Sequence, residues 1–362
     1  MPMNKTTWKF YWSPEAAWDG MYKACEQAKH TIDFEQYIFD DDFLGRRFLE
    51  LFASKAREGV RVRLLVDAFG SRRLVHSLFL REVIASGVQV QFFNVIEPWW
   101  RWVRHITKKF LRTHRKLLVV DEYYGFTGGV GICANMAGRR DTHLRIHGPV
   151  VAEISQAFSR LWDMTKKGRR LVSFYQPIIH GGNFTLLTNS PRFRQRFTYW
   201  TLARQFRAAK KSIYITTPYF VPDWRIFGAL KAAARRGVDV RIVLPILSDW
   251  RLVQLGNSSF YSRALRAGIR IFEFKPHFIH AKTNVVDGLW ASVGSSNMDS
   301  LSLLLNYEAD IAGTDERFIK EITRQFFKDL KLTEEVHLVS WNKRSFWHKS
   351  LEQLARPLHR LM

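Results

Sequence analysis

The chain has 362 residues, 46% of them hydrophobic, which is enough for two ordinary domains with buried cores. Lysine and arginine number 56 against 33 acidic residues, and the formal net charge of +23 favours nucleic acid, an anionic membrane surface or an anionic substrate as partner. The two cysteines cannot form a disulfide framework. No stretch of about 18 apolar residues predicts a transmembrane helix, and the N-terminus has no apolar stretch of signal-peptide length.

The predicted elements occur twice along the chain. Each repeated stretch joins the end of a predicted helix to a short strand rich in β-branched residues. This alternation is typical of an α/β sheet covered by helices. The sequence therefore predicts two similar α/β/α sandwich domains packed face to face, with one site at their junction. The repeated pairs are AKHTIDF (28–34) with AKKSIYI (209–215), AREGVRVRLLV (56–66) with ARRGVDVRIVL (234–244), and ASGVQVQFF (85–93) with RAGIRIFEF (266–274).

The strand that follows these repeats carries a histidine and a lysine two residues apart in both halves. Side chains alternate along a strand, so each histidine and its lysine point to one side and Arg115 points to the other. Two such pairs at equal offsets predict a site for something anionic. The motif residues are His114, Lys116 and Asp121 in THRKLLVVDEYYGFTGG (113–129), and His280, Lys282 and Asp287 in HAKTNVVDGLWASVGSSN (280–297).

This HxKxxxxD pattern, present twice and followed by a turn of small residues, resembles the paired signature of the phospholipase D superfamily over about residues 8–340. More narrowly, four stretches resemble bacterial cardiolipin synthases of the short form without N-terminal membrane spans. The resemblance implies two phospholipase D-like domains and a phosphatidyltransferase with phosphatidylglycerol as donor. The four stretches are TGGVGI (127–132), RRDTHLRIHGP (139–149), TTPYFVPD (216–223) and VGSSNMDSLSLLLNYEA (293–309).

Phosphodiester exchange needs a nucleophile, a proton donor for the leaving alcohol and positive charge around the phosphoryl oxygens. Two histidines can supply the first two and two lysines the third, so no metal or other cofactor is predicted. Asp40–Asp42 is expected to cap a helix that begins near Phe43. The resemblance favours His114 as the nucleophile that forms a phosphohistidine and His280 as acid and then base; the reverse assignment stays open.

The motif aspartates complete the catalytic signature, but an offset of seven is odd, so Asp121 and Asp287 should point away from the histidines and act structurally. The resemblance assigns the orientation of the histidines to two other acids. Asp141 lies 27 residues after His114, and Glu308 lies 28 residues after the second motif histidine. Each stands at or in the next strand, where cross-strand contact is feasible. A surface ion pair is the alternative for either.

The turns after the motif strands are predicted to bind the substrate phosphate. Asn297, 17 residues after the second motif histidine, suits a phosphate oxygen or the motif lysine, and Ser295 and Gly129 lie in the same type of turn. Gly131 stands where many relatives carry asparagine. The first half therefore has one hydrogen bond fewer, which puts a symmetric phosphate pocket in doubt.

The first half carries 15 extra residues before its motif, because 27 residues separate Gly87 from His114 and 12 separate Gly268 from His280. The inserted segment, 97–111, mixes aromatic and basic residues, as segments in membrane interfaces do. An inter-domain loop whose tryptophans pack on the protein is the alternative. The residues predicted to bind the membrane are Trp99, Trp100, Arg101, Trp102, Arg104, Lys108, Lys109 and Phe110.

The predicted organisation is an N-terminal domain at 1–172, a linker at 173–192, a C-terminal domain at 193–340 and an amphipathic tail at 341–362. The tail is equally consistent with membrane attachment and with a structural cap. The expected location is the cytoplasmic face of the bacterial inner membrane, as a peripheral protein whose partners are phosphatidylglycerol and the membrane surface.

Two other reactions fit the same superfamily. With water as acceptor the enzyme would be a phospholipase D-type hydrolase. A nuclease would fit the basic charge, but the inserted segment mixes tryptophans with aliphatic residues, and TGG and DTHLRI resemble the lipid branch. No nucleic-acid partner is therefore expected.

Overall fold

The computed structural model of the protein describes residues 6–95, 111–166, 182–246 and 251–344, with only the backbone for 251–256. Two mixed β-sheets with helices against them confirm the predicted α/β class and the two similar domains. The helices are α1 Pro14–Glu26, α2 Phe43–Arg57, α3 Arg72–Val75, α4 Phe79–Ala85, α5 Val150–Lys166, α6 Phe197–Ala208, α7 Trp224–Arg235, α8 Arg251–Arg266, α9 Glu316–Leu330 and α10 Leu338–Asn342.

The first sheet has the strand order β1-β7-β6-β5-β2-β3-β4. β2, β3 and β4 run parallel, and the remaining neighbours are antiparallel. Its strands are β1 Thr7–Tyr11, β2 Thr31–Gln36, β3 Arg61–Asp67, β4 Gln89–Phe93, β5 Leu117–Val120, β6 Tyr124–Gly128 and β7 His143–His147.

The second sheet repeats this order as β8-β16-β14-β13-β9-β11-β12 and adds β17 at one edge. A small parallel pair, β10 with β15, lies beside it. The strands are β8 Phe184–Asn189, β9 Ser212–Thr216, β10 Phe220–Val221, β11 Asp239–Pro245, β12 Arg270–Phe274, β13 Thr283–Val286, β14 Trp290–Gly294, β15 Met298–Asp299, β16 Glu308–Gly313 and β17 Thr333–Val336.

Strand direction fixes where the two motifs lie. β5 is antiparallel to β2, and Leu117 at its start pairs with Glu35 near the end of β2. In the second half, Thr283 at the start of β13 pairs with Thr216 at the end of β9. The residues just before β5 and β13 therefore lie at the carboxyl ends of the parallel strands, the edge where α/β sheets bind ligands. We call this the cleft edge.

The two halves share an apolar interface. Side chains alternate along β5, so Leu118 and Val120 belong to the N-terminal core, whereas Leu117 and Val119 belong to a cluster that includes residues of both sheets. Helix α5 contacts strands of the first sheet and β8 of the second. In turn, Phe318 of α9 packs on Phe10 of β1 at 5.2 Å between ring centroids.

The structure corrects one prediction on chain organisation, and two others fall largely outside the described residues. The predicted linker is wrong in its second half, because Phe184–Asn189 forms strand β8, the counterpart of β1, whose Phe184 and Leu186 are buried. The predicted membrane segment lies outside the described residues except for Leu111. Of the predicted tail, only 341–344 is described.

Candidate active site

Both histidine–lysine motifs lie in extended segments that precede their strands, and a residue from the opposite half holds each segment. The backbone N–H of His114 donates to the carbonyl of Tyr307 at 2.9 Å, and the N–H of His280 donates to the carbonyl of Arg140 at 2.7 Å. These contacts continue short parallel bridges between Thr113 and Tyr307 and between the Arg140 and Ile279 backbones. The two motifs are therefore brought together at the cleft edge.

The acids predicted to orient the histidines contact them, but across the two halves. His114 Nδ1 lies 3.0 Å from Glu308 Oε1, and His280 Nδ1 lies 2.8 Å from Asp141 Oδ2. The expected cross-strand contact within each half is therefore wrong. The reason is local: each acid directly follows the residue that bridges to the other half's motif, so it faces that half's histidine.

Glu308 is fully buried at the start of β16, and the hydroxyls of Ser295 and Ser302 both donate to its carboxylate. Burial raises the pKa of Glu308 to about 7, and the nearby Lys116 ammonium opposes that rise. This carboxyl therefore titrates near neutrality in the cleft.

Asp141 is equally buried but has a different electrostatic environment. Burial alone would raise its pKa, yet the electrostatic interactions with His280 and Lys282 and the hydrogen bonds from His280 and the Thr142 N–H outweigh burial and lower it. Gly129 lies against this carboxylate, since a Cβ there would sit 2.1 Å from Asp141 Oδ1. Asp141 is therefore ionised at neutral pH.

The two motif lysines are almost completely buried, each 2% exposed. Lys116 Nζ donates to the carbonyl of His114 at 2.6 Å, and Lys282 Nζ makes the equivalent bond to the carbonyl of His280. Burial and the second lysine together lower the pKa of Lys116 to about 7, although Glu308 opposes the shift. Two ammonium groups this close would be stabilised together by a bound anion.

Both histidines favour the neutral imidazole. Burial lowers the pKa of His114 well below its usual value, and Lys116 and Lys282 add to that effect. Burial also lowers the pKa of His280 to about 4, although Asp141 opposes it. Because Nδ1–H donates to the acid in each pair, the lone pair is on Nε2.

The two histidines line one cleft of about 580 Å³ between the halves. Lys116 and Asn297 also line it, and its other walls include the aromatic rings of Tyr37 and Tyr219. Such a volume suits a small polar group such as a lipid headgroup. The arrangement offers two imidazoles, the Lys116 amine and the Asn297 amide around one space.

The sequence model of a family described as "Cardiolipin synthase, PLD-like domain" matches residues 21–162 and 202–330. The chain belongs to this family. Cardiolipin synthase A of Pseudomonas fluorescens (strain SBW25) is 33% identical over 358 residues, covering 96% of this chain and 72% of the relative. A probable cardiolipin synthase of Bacillus subtilis (strain 168) is 32% identical over 366 residues, covering 98% and 72%.

Solved structures show the same fold at low sequence identity. A phosphatidylserine synthase of Haemophilus influenzae Rd KW20 has a TM-score of 0.70 at 13% identity, covering 98% of this chain and 93% of that one. A polyphosphate kinase from Porphyromonas gingivalis has a TM-score of 0.63 at 12% identity, covering 99% and 54%.

As a member of the cardiolipin synthase, PLD-like family, the chain is an enzyme, a phospholipid phosphatidyltransferase of the phospholipase D superfamily. Within the described residues, no helix is both long enough and apolar enough to cross a bilayer.

Of the three residues predicted to bind phosphate, only Asn297 lines the cleft. No described residue donates a hydrogen bond to its buried Oδ1, so this oxygen can accept from a donor group of a ligand, whereas a phosphate oxygen would need the Nδ2–H. Ser295 and Gly129 are not available, and the prediction for them is wrong. The Ser295 hydroxyl binds Glu308, and the Gly129 N–H donates to the carbonyl of Thr142 at 3.0 Å.

The motif aspartates lie in turns at the far edge of the sheets and not in the cleft, so counting them with the catalytic residues is wrong. Asp121 has φ of 53° and accepts hydrogen bonds from the backbone N–H groups of Lys29, His30 and Thr31. Asp287 binds residues 210–212 in the same way. Their role is to tie each motif hairpin to the strand beside it.

Gly131, which stands where many relatives carry asparagine, is closely surrounded in the structure. Its carbonyl accepts the indole N–H of Trp18 at 2.8 Å, and a Cβ there would lie 3.1 Å from the Ile38 carbonyl oxygen. Gly131 lines the cleft without a side chain, whereas its counterpart Asn297 lines it with an amide, so the two halves differ at this position.

Two residues of the site escaped the sequence analysis. Ser302 joins Asn297 to Glu308, because its hydroxyl accepts the Asn297 N–H at 2.9 Å and donates to Glu308. It lies in the stretch 293–309 that carries the family resemblance. Tyr37 packs edge-on against His114 at 4.9 Å between ring centroids, and no repeat marked it.

Asp40, Asp42 and Cys133 form the one group in the described part of the chain whose ligand atoms lie within 4.8 Å of one another, as a metal site requires. Asp42 instead caps α2, as predicted, accepting from the N–H groups of Leu44 and Gly45. Asp40 pairs with Arg73 at 3.3 Å. None of the three lines the cleft.

Proposed function

We propose that the enzyme transfers a phosphatidyl group from phosphatidylglycerol to the hydroxyl of a second phospholipid, through a phosphohistidine, and releases glycerol. With phosphatidylglycerol as acceptor the product is cardiolipin. The observation that carries the proposal is the pair of crossed histidine–acid contacts whose two histidines meet Lys116 in one cleft, with Lys282 buried against the backbone of His280. The curated relatives named cardiolipin synthase support the substrate class.

His114 fits the nucleophile. Its low pKa keeps the imidazole neutral, and the contact of its Nδ1 with Glu308 directs the lone pair of Nε2 into the cleft. Nε2 attacks the donor phosphorus, a P–N bond forms, and the bond from phosphorus to the glycerol oxygen breaks.

His280 fits the acid and base. In the free enzyme this ring is neutral; the negative charge of the bound donor and ionised Asp141 at 2.8 Å would favour its protonation, and the imidazolium then gives its proton to the departing glycerol oxygen. The neutral ring left behind then takes the proton of the acceptor hydroxyl. That oxygen attacks phosphorus, the P–N bond breaks and His114 is regenerated.

The lysines and Asn297 fit the charge that develops on the phosphoryl oxygens. Lys116 has a lowered pKa in the buried cleft, and a phosphate between the lysines would raise that pKa and restore the full positive charge. Substrate binding would therefore be coupled to proton uptake by this lysine.

Because both substrates are lipids, the proposal places the enzyme on the cytoplasmic face of a bacterial inner membrane as a peripheral protein. The net charge of +23 favours such an anionic surface. The segment 97–111 stays a predicted membrane contact.

Mass spectrometry of lipid products tests the proposal. Wild type, His114→Ala and His280→Ala are incubated with phosphatidylglycerol vesicles in EDTA, with and without phosphatidylethanolamine. Cardiolipin from wild type alone is the expected result. Phosphatidic acid as the sole product would mean that the enzyme is a hydrolase and not a transferase. DNA cleavage without any lipid product would overturn the assignment of a lipid substrate.

A further inference from the structure

Several exposed apolar side chains lie at the cleft edge. Phe69 follows the end of β3 by two residues, is 50% exposed and lines the cleft. Val95 and Ile246 follow the ends of β4 and β11 and are 54% and 41% exposed. Contiguous exposed apolar surface rimmed by charge is typical of interaction sites.

The duplication places two further aromatic residues at this edge. Phe43 begins α2 after β2, and Trp224 begins α7 after β9, at matching positions of the repeat. They are 78% and 74% exposed, among the most exposed large apolar residues that the structure describes. The loops that lead to them pass through Ile38 and Val221, which line the cleft, so each ring follows a cleft-lining loop at the cleft edge.

Basic groups accompany these rings. The Arg225 guanidinium lies 4.5 Å from the Trp224 ring centroid; the Arg112 guanidinium lies 5.2 Å from that of Phe69, but it is mostly buried and pairs with Asp67 at 3.4 Å. The acids beside Phe43 are paired, since Asp41 contacts Arg46 at 2.7 Å. Aromatic rings combined with arginines suit the interface of an anionic bilayer.

The chain is also strongly basic as a whole, with a formal net charge of +23. An anionic surface is therefore the partner that complements the exposed aromatic and basic side chains of the cleft edge.

We propose that the cleft edge, through Phe43, Phe69 and Trp224, docks on an anionic phospholipid bilayer and holds the cleft mouth at the headgroups. This rests on the proposed function for the identity of the substrate, and it extends the membrane contact to both halves of the molecule. A lipid headgroup then reaches the histidines without leaving the interface.

The test uses the full chain and sedimentation with vesicles of phosphatidylglycerol and phosphatidylcholine. The variant Phe43→Ser/Trp224→Ser loses two rings that lie outside the catalytic cleft. The matched control is Tyr123→Ser/Leu289→Ser, 47% and 72% exposed in the β5–β6 and β13–β14 turns at the far edge. We expect the first variant to lose about tenfold or more in vesicle partitioning, and the control to bind like wild type.

A second readout separates docking from chemistry. With monomeric dihexanoyl phosphatidylglycerol as substrate, both double variants should form product at the wild-type rate, whereas on vesicles only the first should slow. Wild-type vesicle binding by the first variant would overturn the docking surface, as would equal losses in the two variants. No product from wild type with either substrate would contradict the proposed function, while the sedimentation result would still decide the docking surface.

Discussion

The two half-sites of the cleft share a backbone arrangement but differ in their acids. His114 contacts Glu308, whose pKa burial raises to about 7, whereas His280 contacts Asp141, whose pKa is lowered because nearby positive charges and hydrogen bonds outweigh burial. A duplicated scaffold thus holds two carboxyls in states that differ at neutral pH. Such a difference between paired groups is how one site supplies both nucleophilic and acid–base chemistry.

The crossed contacts also make each half dependent on the other. The acid of one half orients the histidine of the other, and the same bridges fix the backbone on both sides. Replacing the acid in one half should therefore cause the same kind of catalytic defect as replacing the histidine in the other half.

Replacing either histidine should have the largest effect and should separate the two roles. With phosphatidylglycerol, His114→Ala and His280→Ala should each lose about 10⁴-fold or more in kcat. With phosphatidyl-p-nitrophenol, whose leaving group needs no proton, His280→Ala should regain a nitrophenol burst, measured by stopped flow, and His114→Ala should not. His147→Ala, outside the cleft, is the control. A burst in His114→Ala instead would reverse the roles.

Neutralising the acids should test the crossing itself. Glu308→Gln and Asp141→Asn should each lower kcat by about 10³- to 10⁴-fold, because the histidine loses its defined tautomer. Only Asp141→Asn should keep the nitrophenol burst, since its partner is His280. Glu153→Gln, a buried acid outside the cleft whose pKa is raised to about 7 by burial, should retain activity. The opposite pattern between the two acids would contradict the crossed assignment.

The lowered pKa of Lys116 predicts a pH effect on the free enzyme. The ammonium is present below about pH 7 and is lost as pH rises through that value, so kcat/KM should fall about tenfold per pH unit on the alkaline side. Lys116→Arg, which keeps its charge, should remove that limb of the profile. A profile for the wild type that is flat from pH 7 to 9 would exclude this role.

Removing the Ser302 hydroxyl should produce a smaller defect in the Glu308 half-site. Ser302→Ala deletes a donor to that carboxylate, so its pKa should rise further, and kcat at pH 7 should fall about tenfold. The acidic limb of the pH profile should move upward, since more of the acid is then protonated. Ser292→Ala, a buried hydroxyl that accepts from Asn284, should change neither.

The motif aspartates should affect stability and not chemistry. Asp121→Asn weakens three backbone contacts and should lower the free energy of unfolding by about 1–2 kcal/mol. The three backbone N–H contacts outweigh burial and lower the pKa of Asp121. The stability that Asp121 contributes is therefore present above the usual carboxyl pKa and is lost as the pH falls through the lowered pKa. Urea denaturation measures the loss. A large drop in activity per folded molecule would restore a catalytic role.

Sequence patterns located the motif residues because repeats and strand alternation are local. Arg115 does point away from the cleft, to a buried pair with Glu35 at 2.6 Å, and the odd offset of Asp121 does place it at the far edge. The crossed acids could not be read in this way. Contact between His114 and Glu308 depends on how two domains pack, which no spacing within one half records.

The wrong prediction for Ser295 as a phosphate-binding residue has the same cause, because its contacts depend on the fold. Ser295 and Asn297 stand two apart in one turn, and composition alone made both suitable for phosphate. Only the fold shows that Glu308, 13 residues beyond Ser295, captures its hydroxyl. The strand β8 was missed because proline and glycine around it resemble a linker, although its own six residues alternate in burial at the start.

The most direct test of the central claim is to map the covalent intermediate. Wild type, His280→Ala, Asp141→Asn and Glu308→Gln are mixed with phosphatidyl-p-nitrophenol, quenched at alkaline pH, where a P–N bond survives, and digested for mass spectrometry. If His114 is the nucleophile, a phosphatidyl adduct forms on His114 in wild type, His280→Ala and Asp141→Asn, and little adduct forms in Glu308→Gln. An adduct on His280, lost in Asp141→Asn and retained in Glu308→Gln, would contradict this assignment.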